Sequence, residues 1–416
     1  MNLHDRGWVQ GSEGVSVPIH VSESKPKAGW WDVPAYAVEY ADGSFDHYGQ
    51  GAPRFKILAA DHAELERLLS LDAYSVAMKF VSGEISVEGD LVGAVRYYQD
   101  RPHSWMQSGV LAAFARFGIG TLESWFQSKG RAAQNIRFHY DQSNEFYGQF
   151  LDSRMVYSCA YFKDEDQSLD DAQLRKIEHI CGKLDLRPGE ALLDVGCGWG
   201  GLVTHAAAEY GAISTGCTLS TEQFNFANER VAERGLRGGV RVELSDYRDI
   251  RGPFDKIASV GMFEHVGRRR LKSYFATLHG LLRHGGLLLN HGIMRPENAE
   301  NNAETLFVRR KVFPGGEIPR LSEVIRSAEQ CGFEVLDVEN LRPHYALTCR
   351  AWIGRLQENV TQCLRQVDRS VYRTWLLMFA GSAACFEDGR LNLNQLLLYK
   401  PGHPASRPFT REYMYR

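Results

Sequence analysis

Residues 191–202 read ALLDVGCGWGGL: a short apolar run, an acid at Asp194, then Gly196, Gly198, Gly200 and Gly201 before a helical pattern begins. A strand that turns through glycines into a helix brings bare backbone against a ligand, and the helix N-terminus supplies oriented N–H groups. The spacing Gly196-x-Gly198-x-x-Gly201 also satisfies the dinucleotide fingerprint. Two features favour S-adenosylmethionine over NAD. Asp194 directly precedes the first turn glycine, where a carboxylate attracts a cationic, amine-bearing ligand and repels a pyrophosphate. The second strand ends in Gly216-Cys217-Thr218-Leu219-Ser220, without the acid that would hold an NAD ribose. Further along, Glu264 and His291 each fall near the C-terminal end of neighbouring predicted strands, where ligands bind in open parallel sheets. Cys159 has no His nearby in sequence to support a thiolate, so it is read as something other than a nucleophile.

The elements that must carry these residues follow from the apolar pattern. Strand-like runs at 191–195, 212–219, 240–244, 256–260, 286–291, 333–338 and 391–400 alternate with helix-length segments at 202–210, 221–234, 269–282 and 322–331. That rhythm predicts an α/β fold. The stretch 295–319 interrupts it and reads as an insertion near the site. Upstream, Asp61 is placed to cap a helix using Leu65, Leu68, Leu69 and Leu71, and EISVEGDL (84–91) alternates like a short strand pair. A second amphipathic stretch covers 105–126. The chain of 416 residues is therefore divided into an N-terminal accessory domain (1–122), a linker (123–140) and a catalytic domain (141–416). Its net charge of −3 gives no footprint for nucleic acid. No apolar run reaches the ~18 residues that cross a bilayer, and the start lacks the apolar core of a signal peptide. The eight cysteines contain no CxxC pair, so neither a zinc site nor a disulfide framework is expected, and the chain reads as cytoplasmic.

LLDVGCGWGG, followed in order by GCTLSTEQ, SDYRDI, GMFEHVG and FPGGEIP, resembles the cyclopropane-fatty-acid synthase family, which includes the mycolic acid cyclopropane synthases. IRFHYDQSNEFYGQFLD and YSCAYF upstream, and HYALT and LNLNQLLLYKP downstream, extend the resemblance over about 136–401. VSGEISVEGDL is similar to the N-terminal module of the phospholipid-modifying members. Ser143 and Glu145 stand where the commoner pattern has Gly and Asp, and neither touches a proposed ligand position. The resemblance implies a class I methyltransferase Rossmann-like sheet, mostly parallel with an antiparallel last strand, beside a smaller N-terminal α+β domain.

For the cofactor, the resemblance implies that the loop Gly196, Gly198, Trp199 and Gly200 holds the methionine part of S-adenosylmethionine, beside the Asp194 carboxylate already read as engaging its amine. Thr218, Ser220 and Gln223 match a TLSxxQ segment whose Gln binds the ribose, Asp246 and Tyr247 match the adenine-contacting segment, and Tyr157 and Ser158 match residues that close over the cofactor. It further implies a bicarbonate ion held by side chains of Glu264, His291 and Tyr345 and by backbone groups of Cys159 and Ile293. The implied reaction transfers a methyl group to a cis double bond of a phospholipid acyl chain and loses a proton to form a cyclopropane. An alkene is a weak nucleophile, so the donor must be held close and in line. The base must be oriented by fixed hydrogen bonds. Tyr157, Tyr161, Phe162 and Phe313 are candidates to face the cationic intermediate. The partners implied are phospholipid acyl chains and the inner membrane face, where the protein would sit peripherally, and a second copy in a homodimer. Competing readings are a methyl-branching or methylene-forming lipid methyltransferase, a small-molecule methyltransferase, and a non-catalytic lipid-binding protein.

Overall fold

A computed structural model describes residues 34–100, 143–298, 318–402 and 409–415. The proposed linker, the amphipathic stretch 105–126 and Phe313 lie outside the described residues. The chain forms two compact units: residues 1–71 with 85–102, and residues 72–84 with 103–416.

The first unit is a four-stranded sheet of order β2-β1-β3-β4, built from β1 (Tyr36–Tyr40), β2 (Phe45–Tyr48), β3 (Phe55–Ala59) and β4 (Ser86–Gly89). Helix α1 (His62–Ser70) is capped by Asp61, whose side chain accepts the Glu64 N–H, and it buries Leu65 and Leu68 as the spacing predicts. Leu71 falls outside the helix as its C-cap. The segment 84–91 holds one strand, not a pair: α3 (Leu91–Asp100) begins where the second was expected. Between α1 and β4 in the chain, α2 (Ala73–Ser82) belongs to the second unit.

The second unit is built on a seven-stranded sheet of order β10-β11-β9-β8-β5-β6-β7. Its strands are β5 (Ala191–Val195), β6 (Ile213–Thr218), β7 (Val240–Leu244), β8 (Phe254–Val260), β9 (Leu282–Met294), β10 (Glu334–Asn340) and β11 (Asn392–Tyr399). All pairings from β9 through β7 are parallel, while β11 runs antiparallel to both β9 and β10. The central strands read as near-continuous apolar runs because both faces are covered. Leu193, Val195, Ile257, Leu288 and Leu396 pack on one face against α8 (Leu271–Leu281) and α9 (Leu321–Glu329). Their neighbours Leu192, Ala258, Leu287, Leu289 and Leu397 pack on the other, against α5 (Leu169–Lys183) and α6 (Gly201–Tyr210). Helix α7 (Thr221–Glu233) joins β6 to β7. The short α4 (Asn144–Gly148) opens the described part of this unit after residue 142. Helices α10 (Arg342–Glu358), α11 (Val360–Gln366) and α12 (Arg369–Glu387) fill the connection from β10 to β11. Among the described residues, no helix is long and apolar enough to cross a membrane.

Candidate active site

The glycine turn forms as its sequence requires. Gly196, Gly198 and Gly200 have φ of +81°, +54° and +79°, a region that side-chain-bearing residues enter only with strain. Gly200 is the N-cap of α6 and Ser220 that of α7, so these two shape the cradle from behind. The other predicted cofactor residues (Tyr157, Ser158, Asp194, Gly196, Gly198, Trp199, Thr218, Gln223, Asp246 and Tyr247) line one cavity at the C-terminal ends of β5, β6 and β8. Thr218 Oγ1 donates to Gln223 Oε1 at 2.8 Å, which leaves the Gln223 NH2 as a donor for a ligand. Trp199 is fixed by its indole N–H to Asn144 Oδ1, 2.6 Å. Asp246 commits both carboxylate oxygens to Arg248, at 2.7 and 2.6 Å, so Arg248 sets its position.

Asp194 carries the strongest signal in the cavity. It is 3% exposed, and its Oδ1 has no hydrogen-bond partner. Burial pushes the carboxyl up to about 7, and the nearby Lys176 ammonium pulls it partly back. A buried acceptor left unpaired is costly, and a ligand ammonium is the group that would satisfy it. The residues present therefore fit an amino-acid-bearing cation.

Lys176 was not among the residues singled out from the sequence. It projects from α5 and is 2% exposed, and its Nζ donates to Ser158 Oγ at 2.9 Å. Burial lowers it to about 8 against the opposing influence of Asp152, Cys159 and Asp194. It links Ser158 by this hydrogen bond to the neighbourhood of Asp194, and all three residues line the cavity. Met262, His265 and Arg270 also line the cavity, and burial lowers His265 to about 4, so its ring is neutral.

None of the five residues assigned to bicarbonate lines this cavity. They are gathered around the end of β9. His291 lies inside that strand, which runs on to Met294, rather than at its last position as the shorter predicted strand (286–291) implied. Its backbone carbonyl accepts the Gly261 N–H at 2.8 Å, and Gly261 does line the cavity. Glu264 sits on a 3₁₀ turn (Phe263–His265), and its Oε1 accepts the Ile293 N–H at 2.7 Å. The Ile293 amide thus positions Glu264 and is not free for a ligand. A glycine permits this approach: a Cβ on Gly292 would lie 1.9 Å from Phe263 Cε1 and 3.0 Å from Glu264 Oε1. Glu264 Oε2 and His291 Nε2 are buried without partners. Burial raises Glu264 to about 7, with the Ile293 N–H working the other way. Burial, reinforced by Lys176 and Lys183, holds His291 well below its ordinary value.

Backbone links bring the remaining two residues to the same end. Leu393 is the register partner of Ile293, and its carbonyl accepts the Leu341 N–H at 2.8 Å. Leu341 opens α10, where Tyr345 N donates to its carbonyl at 3.2 Å. The segment 159–162 runs along that helix start: Cys159 Sγ is 3.9 Å from Leu341 O, Ala160 N donates to Thr348 Oγ1 at 3.0 Å, and Phe162 N donates to His344 Nδ1 at 3.0 Å. The Tyr345 ring stacks on Phe386 with centroids 4.6 Å apart. Cys159 is fully buried, and burial drives its thiol far up, which argues against a thiolate nucleophile.

The predicted aromatics separate. Tyr157 lines the cavity and leads into a buried aromatic group, with Trp352 at 5.1 Å, Tyr147 at 5.8 Å and Trp375 at 5.8 Å between centroids. Tyr161 instead stacks between His179 and His344, at 4.4 and 4.6 Å. Phe162 is buried beside the His344 contact.

The strand order with its antiparallel β11, and a glycine cradle over a buried unpaired acid, define a class I S-adenosylmethionine-dependent methyltransferase. Residues 127–396 match the profile of the mycolic acid cyclopropane synthetase family, and the chain belongs to that family. It is 41% identical over 373 residues to a probable fatty acid methyltransferase of Pseudomonas putida, covering 88% of this chain and 92% of that protein. It is 36% identical over 277 residues to cyclopropane mycolic acid synthase 1 of Mycobacterium tuberculosis, covering 64% of this chain and 96% of that one. The crystal structure of mycolic acid cyclopropane synthase CmaA1 complexed with SAH and CTAB superposes with a TM-score of 0.61 at 36% identity, over 64% of this chain and 97% of that one.

The charge pairing at the base of the cavity yields a test of the lysine. Because the Lys176 ammonium lowers the Asp194 carboxyl, Lys176→Met is expected to move the midpoint of S-adenosylhomocysteine binding to higher pH. Calorimetric titrations between pH 6 and 9 read this directly, and an unchanged midpoint would show that Lys176 does not act on Asp194.

Proposed function

We propose that this methyltransferase converts cis double bonds in phospholipid acyl chains to cyclopropanes, working from the cytoplasmic membrane surface with bicarbonate as the base. The observation that carries the reading is the pair of buried, unpartnered atoms Glu264 Oε2 and His291 Nε2 beside the end of β9, next to the cofactor cavity. A small oxyanion that both accepts and donates hydrogen bonds suits this pair. His291 is neutral and has one ring nitrogen uncommitted. Glu264, near 7, can present either a carboxylate or an O–H. Tyr345 would add a hydroxyl, and Cys159 a backbone group.

S-adenosylmethionine supplies the electrophilic methyl group, and bicarbonate supplies the base for the proton lost at ring closure. The chain's own contribution is positioning. Asp194 and the glycine turn orient the cofactor, while Ile293 and Gln395 hold Glu264 and His291 by hydrogen bonds of 2.7 and 3.0 Å. The aromatic group behind Tyr157 offers apolar walls that face a developing cation without attacking it. The lipid class is supported by the relatives, one a probable fatty acid methyltransferase and one crystallised with CTAB. The phospholipid assignment extends this through the N-terminal unit, which stands wholly outside the family match.

The test is incubation with liposomes of cis-unsaturated phosphatidylethanolamine and phosphatidylglycerol and methyl-labelled cofactor. The expected lipid is one methylene heavier, with the double bond gone and ring protons in its NMR spectrum. A heavier lipid that keeps a double bond would identify a methyl-branching or methylene-forming enzyme. No lipid product would end the proposal.

A further inference from the structure

The geometry points to Gln395 as the positioning residue that holds His291 in its neutral Nε2–H form; this rests on the reading of His291 as a ligand to the proposed oxyanion. The two residues are register partners on β11 and β9, and both side chains are buried, at 0% and 1% exposure. Gln395 follows Asn394 in the buried part of β11, and a buried amide there needs a partner. It finds one in His291: Gln395 Nε2 lies 3.0 Å from His291 Nδ1. An amide N–H pointing at Nδ1 makes that nitrogen the acceptor and puts the ring proton on Nε2.

The opposite arrangement would turn Gln395 Oε1 toward an Nδ1–H. It would take both N–H groups away from His291, whereas the observed arrangement engages one of them and leaves Oε1 without a partner. Orphaned buried N–H groups are rarer than under-satisfied carbonyls. The doubly protonated ring is disfavoured by burial and by Lys176 and Lys183. The remaining state carries one uncommitted donor, His291 Nε2–H, which is what an oxyanion requires. The chemistry of the site thus reaches one strand further than the residues that would touch the ion, and it uses an amide in the LNLNQLLLYK segment.

The test uses the full chain labelled with 15N-histidine, with His291→Asn assigning the signal. In the wild type, the His291 spectrum should show Nδ1 unprotonated and Nε2 protonated. Gln395→Glu should invert it, since a carboxylate accepts from Nδ1–H, and Gln395→Met, which offers no donor, should give a mixture. Turnover of Gln395→Met should fall about tenfold or more, the scale at which a partner orienting a ligand acts. The bicarbonate needed for half-maximal rate in CO2-free buffer should rise, with cofactor affinity unchanged. An Nδ1–H wild-type ring, or a Gln395→Met ring still wholly Nε2–H, overturns the assignment. If the tautomer responds as stated but wild-type turnover ignores bicarbonate, the positioning role stands and the base reading falls. If turnover depends on bicarbonate but neither substitution moves the tautomer, the base reading stands and Gln395 is only a packing residue.

Discussion

Glu264→Gln is expected to remove turnover while leaving S-adenosylhomocysteine affinity within about threefold of wild type. The substitution is nearly isosteric, and its carbonyl oxygen can still accept the Ile293 N–H that Glu264 Oε1 now takes at 2.7 Å. What changes is the second position. An atom that is buried, unpartnered and able to titrate near neutrality becomes a fixed NH2 donor. If Glu264 orients the base, losing it costs on the order of the 10²–10⁴-fold typical of proton-transfer groups. Cofactor affinity should survive because Glu264 does not line the cofactor cavity. Tyr345→Phe is the companion: it keeps the ring stacked on Phe386 and deletes one hydroxyl. Single-turnover rates with labelled cofactor, set beside calorimetric affinities, separate the two quantities. If either variant lost cofactor binding in step with turnover, the residue would belong to the cofactor site instead.

The second large effect concerns Asp194. Its carboxyl must be ionised to hold a cationic ligand, and burial has moved its titration to about 7. The sign follows directly: affinity is full above that value and lost as pH falls through it. At pH 6 about a tenth of the carboxyl is ionised, so the cofactor should bind about tenfold more weakly than at pH 8. Asp194→Asn should flatten this dependence and weaken binding at pH 8 by about 10²–10³-fold, the cost of breaking a buried charge pair. Calorimetry at several pH values checks both halves. An Asp194→Asn protein that kept the wild-type slope would assign the titration to another group.

Much of the sheet was legible because its signals are local. The run at 240–244 and the glycine turn at 196–201 form as read, since an edge strand with one covered face alternates apolar and polar residues, Val240 and Val242 inward and Arg241 outward, and a turn with positive φ needs glycine. Helix α5 was harder to read. Ser168 caps it, accepting the Asp171 N–H, but its buried positions include Gln173, Lys176, His179 and Lys183, which break the apolar periodicity a sequence reading relies on. Lys183 is buried against Asp337 and Glu339 at 3.1 and 2.6 Å, partners more than 150 residues away in the chain. Helices α10 and α12 escaped for a related reason: packed against each other and the core, they show no single apolar stripe.

By itself the sequence determined the class of cofactor, through the order Asp194, glycine turn, helix and a second strand without an acid. It also determined the order of strands and helices that makes such a cradle. Those are properties of neighbours in the chain. The tertiary structure alone decided which buried polar atoms go unpaired. Asp194 Oδ1, Glu264 Oε2 and His291 Nε2 have no partner, while Ile293 N–H, Asp246 and His291 Nδ1 are already engaged. The physical reason is that pairing depends on register between strands and on close approach, such as the absent Cβ of Gly292 beside Phe263. Glycine at 292 permits that approach, but which residues it brings together is set by long-range packing and not by local spacing.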